Sequence, residues 1–424
     1  MRGSTRPGLG LALPIECAPM DRLVLEPAAL LDPDAEQPSA GALLVEGGRI
    51  AARLAAGERL PESALHVSLP GLSLAPGFVD VHYHGALIFT PPGEITAALR
   101  ATGEALLATG VTAYLPTTVA WPEAQLAEQV TEWAAAVAKQ SEPGAGASAL
   151  GLHLEGPWIR PEAAGAQPRA GIRPFRAADV DLFARAEGLV RLVTFAPEAE
   201  GAGALLTELG RRSIAASLGH TLADADACER AVSAGARHVT HLFNAMGAFH
   251  HRKPGLIGTA LADDRVSCDL ICDGVHVHPS AVRLAARAKG PQLALITDNV
   301  APPPQSQNAN AAASYGAGAV HGDGAAWRLA DGTLAGSRLT LDRALANAEA
   351  FGVLTRLAAV RAMTLAPARL LGIERERGTL RPGARADFTL LDSTGSVRET
   401  WLAGRRAWRR APKKSPGGDV HTER

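Results

Sequence analysis

"PGFVDVHYH", residues 76–84, is the stretch on which the reading of this chain turns. It begins at a Pro-Gly corner, runs through apolar residues and ends in two imidazoles. Side chains alternate across a strand, so His82 and His84, two residues apart, point the same way. Seven more stretches of similar make are present: "VTAYLPTTV" (111–119), "ALGLHLE" (149–155), "LVRLVTFAPE" (189–198), "SIAASLGH" (213–220), "RHVTHLF" (237–243), "VSCDLICDG" (266–274) and "LALITD" (293–298). Each is short and apolar and ends in polar or small residues.

Amphipathic helical patterns separate several of them, among them "EITAALRATGEALLATG", "PEAQLAEQVTEWAAAVAKQ" and "DADACERAVSAGA". Eight parallel-type strands alternating with helices is the count of an α/β, (β/α)8 TIM-like barrel, expected over residues 76–375. A doubly wound open sheet is the alternative, weakened because no G-x-G-x-x-G follows the first strand. The two ends read differently. "ALLVEGGRIAARL" (42–54), "RADFTLLD" (385–392) and "VRETWLAGRRAW" (397–408) are short strands joined by glycine turns. They predict a small β-sandwich domain built from both chain termini, residues 16–75 plus 376–410. A flexible tail is expected over 411–424. Residues 299–335, rich in Ala, Gly, Pro and Asn, read as a long active-site loop or lid with a short hairpin.

Composition narrows the function. Hydrophobic residues make up 47% of the 424, enough for a sizeable core, and the formal net charge of −1 gives no field favouring nucleic acid or an anionic membrane. The Trp residues form no stacking ladder for single-stranded nucleic acid. No apolar run is long enough to span a bilayer, and the N-terminus reads as a ragged start rather than a secretion signal. Four cysteines, Cys17, Cys228, Cys268 and Cys272, form no C-x-x-C pair and no disulfide framework, so a cytoplasmic setting is expected.

Of 13 histidines, ten lie between residues 82 and 278, and several close a strand. His82 and His84 end the first, Glu155 the third and His220 the fifth. His241 lies near the end of the sixth, and Asp298 ends the eighth. In a barrel these ends converge on the active-site face. Four imidazoles and a carboxylate suit Zn²⁺, with Fe²⁺ or Mn²⁺ as other divalent candidates, one or two ions per subunit. Such an ion makes hydroxide available near neutral pH, and Asp298 is placed to move the water proton. His153 reads as support for a ligand, and His238, of opposite parity to His241, as packing against a helix. His250 reads evenly as a phosphate contact or a loop cap. His66, His278, His321 and His421 are expected at the surface, and Cys268 and Cys272 in packing.

"APGFVDVHYHG" resembles the opening motif of the amidohydrolase superfamily. "GLHLEGPWI", "SLGHTLADAD", "THLFNAMGAFHHRKPGLIG", "CDGVHVHP", "ITDNVAPP", "DGTLAGSRLTLDRALAN" and "MTLAPARLLGIERERGTLRPGARADFTLLD" together resemble the N-acetylglucosamine-6-phosphate deacetylase family, in order over residues ~75–392. The resemblance implies a hydrolase that releases acetate from an amino-sugar phosphate. It implies Glu155, His220 and His241 as metal ligands, His82 and His84 as a pair that some members use for a second ion and others lack, and Asp298 as acid/base. It further implies Asn244 and Ala245 as contacts to the sugar phosphate, Arg252 as the phosphate-binding arginine and His276 as a substrate contact. A guanidinium suits a phosphate because its planar fork donates two parallel hydrogen bonds. A homodimer is implied, in which the partner helps complete the phosphate site.

Two departures accompany the resemblance. The family usually carries a histidine twelve residues beyond the ligand glutamate, where it polarises the amide carbonyl. Here the stretch is "AAGAQP" and Gln167 takes that place, able to donate a hydrogen bond but not to be cationic. After the catalytic aspartate the family commonly reads "TDAM", and here it is "TDNVAPP". Three other readings stand beside the first: a deacetylase for N-acetylgalactosamine 6-phosphate or another N-acyl amino sugar, a different amidohydrolase, and a catalytically inactive sugar-phosphate-binding protein.

Overall fold

The computed structural model describes residues 22–140, 146–301, 314–315, 318–322, 324 and 326–411. The expected N-terminal start, Cys17, His421, nearly all of the tail and much of the 299–335 loop lie outside them.

Eight central strands carry the site: β1 (Phe78–Gly85), β2 (Val111–Pro116), β3 (Leu152–Glu155), β4 (Val190–Phe195), β5 (Ala215–Leu218), β6 (His238–Val239), β7 (Ser267–Ile271) and β8 (Leu293–Ile296). β3 to β8 pair in chain order, every pairing parallel, as a curled half-barrel. β1 and β2 pair in parallel and meet this sheet at both seams. At one, the Thr118 N–H donates to the His153 carbonyl at 2.9 Å; at the other, the Asp298 N–H donates to the His82 carbonyl at 2.9 Å. Strands buried on both faces need apolar side chains throughout, and every residue of Leu293–Ile296 is buried.

The helices show why they lie against these strands. Ile95–Leu106 buries Ile95, Leu99, Thr102, Gly103 and Leu106, one stripe at helical spacing. Gly103 is there because a Cβ would come within 2.8 Å of the Ala147 carbonyl oxygen. Glu123–Lys139 turns Trp133, fully buried, towards the core. Ala225–Ser233 begins at Asp224, whose carboxylate accepts the Ala227 N–H.

Both chain ends pair in one seven-stranded sheet, in the order 405–409, 397–402, 388–391, 65–76, 22–30, 42–46 and 49–54. Leu65–Pro76 lies parallel to Arg22–Leu30 and antiparallel to Phe388–Leu391, so it joins the N-terminal strands to the C-terminal ones. The expected joining of the two ends is present; a second facing layer is not part of this hydrogen-bonded topology. Within 299–335, His321–Gly322, Ala326–Arg328 and Leu334–Ser337 form antiparallel pairs that continue the sheet holding β1. Among the described residues no helix is long and apolar enough to cross a membrane.

Candidate metal centre

Glu155 is the last residue of β3 and is 2% exposed. Its two carboxylate oxygens face two pairs of imidazoles. Oε1 lies 3.0 Å from His220 Nε2 and 3.0 Å from His241 Nε2, which are themselves 3.1 Å apart. Oε2 lies 3.2 Å from His84 Nε2 and 3.5 Å from His82 Nε2, with 3.2 Å between those two nitrogens. Asp298 Oδ1 stands 3.3 Å from His84 Nε2 and 3.5 Å from His82 Nε2. Two ligand-competent groups result, His82–His84–Glu155 and Glu155–His220–His241, sharing the one carboxylate.

His220 and Asp298 do not end their strands as expected, and His241, expected near the end of its strand, lies beyond it. His220, His241 and Asp298 each lie two positions past the end of β5, β6 and β8, in left-handed backbone with φ of 48°, 35° and 47°. The turn, rather than the pleat, aims them inward.

The donor set fits a cation. The His220 Nδ1–H donates to the Ala163 carbonyl at 2.8 Å and the His84 Nδ1–H to the Thr117 carbonyl at 2.9 Å. In the neutral rings this leaves Nε2 as a bare lone pair, the nitrogen that faces the other ligands. Lone pairs and a carboxylate oxygen held about 3 Å apart repel unless positive charge lies among them. A tetrahedral ion with bonds of about 2.0 Å sets its ligand atoms about 3.3 Å apart, close to these separations. Ionisation tells the same story. Burial alone would push the Glu155 carboxyl up, but charge on His82 and hydrogen bonds from His220, His241 and His82 hold it well below the usual carboxylate range. Asp298 is likewise lowered, burial being outweighed by His82 and His84. For His84, burial opposes the charged form, yet hydrogen bonds to Asp298 and Glu155 carry its pKa up to about 10. The cluster collects positive charge, whether as protons or as an ion that displaces them.

Gln167 joins this group in an unexpected way. Its Nε2 donates to Glu155 Oε2 and its Oε1 accepts the Ala120 N–H at 2.8 Å, so the amide braces the shared carboxylate. His153 packs edge-on to His82, ring centroids 4.7 Å apart, and bonds Thr194 Oγ1 at 2.8 Å. Burial first, and His82 second, hold its pKa well below the usual imidazole value.

The other expected site residues find hydrogen-bond partners at atoms other than the ligand atoms of the centre. Asn244 bonds the His241 carbonyl through its own N–H at 2.9 Å, and Ala245 sits in left-handed backbone with its carbonyl accepting the Thr221 N–H. Arg252 is exposed, with Nη1 2.9 Å from His251 Nε2. His276 follows β7; its Nδ1 lies 2.6 Å from Asp273 Oδ2, and its Nε2 is buried without a partner.

Three further histidines have defined partners. His238, expected in packing against a helix, is buried and held by polar partners. Its Nε2 bonds Asp269 Oδ2 at 2.9 Å and its Nδ1 meets Ser267 Oγ at 2.7 Å. His278 is exposed, as expected, but also caps the helix Pro279–Lys289 by accepting the Ser280 N–H. The His250 Nδ1 accepts the Arg252 N–H at 3.2 Å, a contact within the loop of the kind the loop-cap reading expects.

Supporting residues were missed. Asp80, fully buried on β1, accepts the Thr297 hydroxyl at 2.6 Å and so pins the residue before Asp298. Burial raises its pKa to about 6. The signal was available in the sequence: an acid inside an apolar run must have partners to be tolerated there.

Comparison with known proteins places the chain among its relatives. The profile of the amidohydrolase family matches residues 73–407. The N-acetylglucosamine-6-phosphate deacetylase of Homo sapiens is 38% identical over 351 residues, 80% of this chain and 84% of that protein. That of Bacillus subtilis is 37% identical over 332 residues, covering 76% and 82%. Among solved structures, an Asp-to-Ala mutant of the Mycobacterium smegmatis deacetylase in complex with N-acetyl-D-glucosamine-6-phosphate superposes with a TM-score of 0.80. Its identity is 31%, over 91% of this chain and 99% of that one.

Proposed function

The chain belongs to the amidohydrolase family, and we propose that it hydrolyses the acetamide of N-acetylglucosamine 6-phosphate to glucosamine 6-phosphate and acetate, a step of amino-sugar catabolism. The observation that carries this reading is the convergence of two imidazole pairs on the two oxygens of buried Glu155, with ionised Asp298 beside them. Relatives bearing that activity share over a third of their residues with this chain across most of its length.

In this reading Glu155, His220 and His241 hold one divalent ion, and His82 and His84 with the other Glu155 oxygen hold a second. Imidazole with a single carboxylate favours Zn²⁺, then Fe²⁺ or Mn²⁺. When bound, such an ion polarises the amide carbonyl and acidifies the attacking water. Asp298 accepts the water's proton at Oδ1 and returns it to the departing amine. Gln167 fixes the carboxylate and offers its remaining N–H to the substrate. Arg252 and Asn244, with the backbone at Ala245, bind the sugar phosphate, and His276 presents its unpartnered Nε2 to the sugar. Remote binding of the phosphate thereby orients the amide.

Arg252, exposed on one chain, serves this role in a homodimer whose partner closes the phosphate site. The eight central strands complete a (β/α)8 barrel over 76–375, supported by the hydrogen bonds at both seams, with the terminal strands as a small β-sandwich domain. The thiols of Cys228, Cys268 and Cys272, buried and unpaired, suit a reducing cytoplasm.

The test is acetate release from N-acetylglucosamine 6-phosphate by protein loaded with Zn²⁺, Fe²⁺ or Mn²⁺, with metal counted in the same sample. N-acetylgalactosamine 6-phosphate and unphosphorylated N-acetylglucosamine are run beside it. Turnover of the first substrate and loss of it without the phosphate are expected. A metal-loaded protein that releases no acetate from any of the three overturns the proposal.

A further inference from the structure

Two rings of the centre are anchored through Nδ1 to backbone carbonyls, those of His220 and His84. The ring of His241 is not; its Nδ1 is buried and without a partner. Its backbone is also in the left-handed region and follows a strand of only two residues. Something else must hold His241 in place.

The neighbouring strand supplies it. Asp269, at the middle of β7 and fully buried, accepts the His241 backbone N–H at Oδ1. Its own carbonyl accepts the Leu242 N–H at 2.9 Å, so Asp269 grips both residues of the turn. The other carboxylate oxygen, Oδ2, accepts the Nε2–H of His238, 1% exposed, at 2.9 Å. The second nitrogen of that ring meets Ser267 Oγ at 2.7 Å, and Ser267 Oγ lies 3.1 Å from the Arg237 carbonyl. A chain of hydrogen bonds thus runs from the far end of β7, through a buried imidazole and carboxylate, to the backbone of one candidate ligand. A buried carboxylate is costly unless both oxygens are engaged, and here one oxygen is engaged on each side.

We propose that His238 and Asp269 are positioning residues for the Glu155–His220–His241 half of the centre, setting its ion affinity through the His241 backbone. The inference rests on the metal-centre reading above. The other half has a separate clamp of its own: the His84 ring is tied to the Thr117 carbonyl, and His82, whose Nδ1 is likewise unpartnered, donates its backbone N–H to Asp80 Oδ1 at 3.3 Å. Loss of the His238–Asp269 bond is therefore selective for one ion.

Metal-free full-length protein, titrated with Zn²⁺ against a chelating dye, reads this directly. His238→Leu removes the donor to Asp269, and His238→Gln retains an N–H for it. The expected result is a folded His238→Leu protein in which one class of sites weakens ten- to a hundredfold while the other is unchanged, with His238→Gln restoring most of the loss. Unchanged affinity at both sites, or equal weakening of both together with a lowered melting temperature, overturns the proposal in favour of a purely structural pair. Should His238→Leu fail to fold, Asp269→Asn carries the test. It keeps the shape but weakens the acceptor of the His241 N–H, and a loss of at least about threefold at one site is expected; unchanged affinity overturns the idea. A parent protein that takes up no ion at all refutes the metal-centre reading itself, a distinct result.

Discussion

Replacing Asp298 by Asn separates chemistry from architecture. The substitution keeps the side chain's shape, and the backbone of residue 298 is held independently of it. Its N–H donates to the His82 carbonyl at 2.9 Å, and its carbonyl accepts the Ser337 N–H at 2.8 Å. What disappears is an ionised oxygen 3.3 Å from His84 Nε2, on a side chain 14% exposed and so reachable from the open side of the centre. An amide cannot accept a proton at neutral pH. If Asp298 is the group that takes the water proton and returns it to the amine, kcat falls by about 10²- to 10⁴-fold, or ~2.7–5.4 kcal/mol of barrier. The proposed phosphate contacts lie elsewhere, so KM should stay within about threefold. The assay is steady-state acetate release on protein whose metal content matches the parent. A kcat within tenfold of the parent at full metal loading would refute the assignment. So would a drop in kcat explained entirely by lost metal.

Further outcomes are expected from the same geometry. A His82→Ala/His84→Ala protein should lose one of the two ions and keep the one on Glu155, His220 and His241, as counted by elemental analysis; loss of both would mean a single shared site. Gln167→Ala leaves the buried Ala120 N–H without its acceptor and should cost about 1–3 kcal/mol in a urea melt, with weaker metal retention; an unchanged midpoint would contradict the bracing role. The thiols of Cys228, Cys268 and Cys272, each pushed up by burial to about 12, should resist a thiol reagent at pH 8 in the native protein. Their thiolate fractions are about a thousandfold below that of a thiol at its ordinary value. More than one fast equivalent before unfolding, beyond what Cys17 can supply, would argue against that packing.

The central strands were legible because strands buried on both faces must be apolar, and eight such runs separated by helical stripes leave few architectures. The run "LALI" is read correctly for this reason; its extension to Asp298 is not, since the chain has already left the pleat by residue 297. The same overrun left the polar partners of His238 unread. Its parity was compared with that of His241 as though one strand held both, but β6 ends at Val239 and parity does not carry through a left-handed turn. The metal-competent cluster was legible from composition at strand ends. The braces were not, because a hydrogen bond between Gln167 and Glu155 or between Asp80 and Thr297 depends on where loops and seams bring distant residues.

The three left-handed residues explain how the centre is assembled. A non-glycine residue in that region costs about 1–3 kcal/mol and persists only where its surroundings impose it. Each of the three has its own restraint. The His220 carbonyl accepts the Arg160 N–H at 2.9 Å while its ring is tied to Ala163; His241 is gripped by Asp269; Asp298 is stitched between His82 and Ser337. The pleat alone would direct side chains from β5, β6 and β8 along their own strand normals. A left-handed step just past each strand instead turns them towards the carboxylate at the end of β3. The restraints come from three separate segments, carrying Arg160 and Ala163, Asp269, and Ser337, all outside the reacting group. The geometry of the centre therefore belongs as much to these clamps as to the residues that would hold an ion. Substitutions at Asp269 or Ser337 should change metal affinity or kcat before they change the fold.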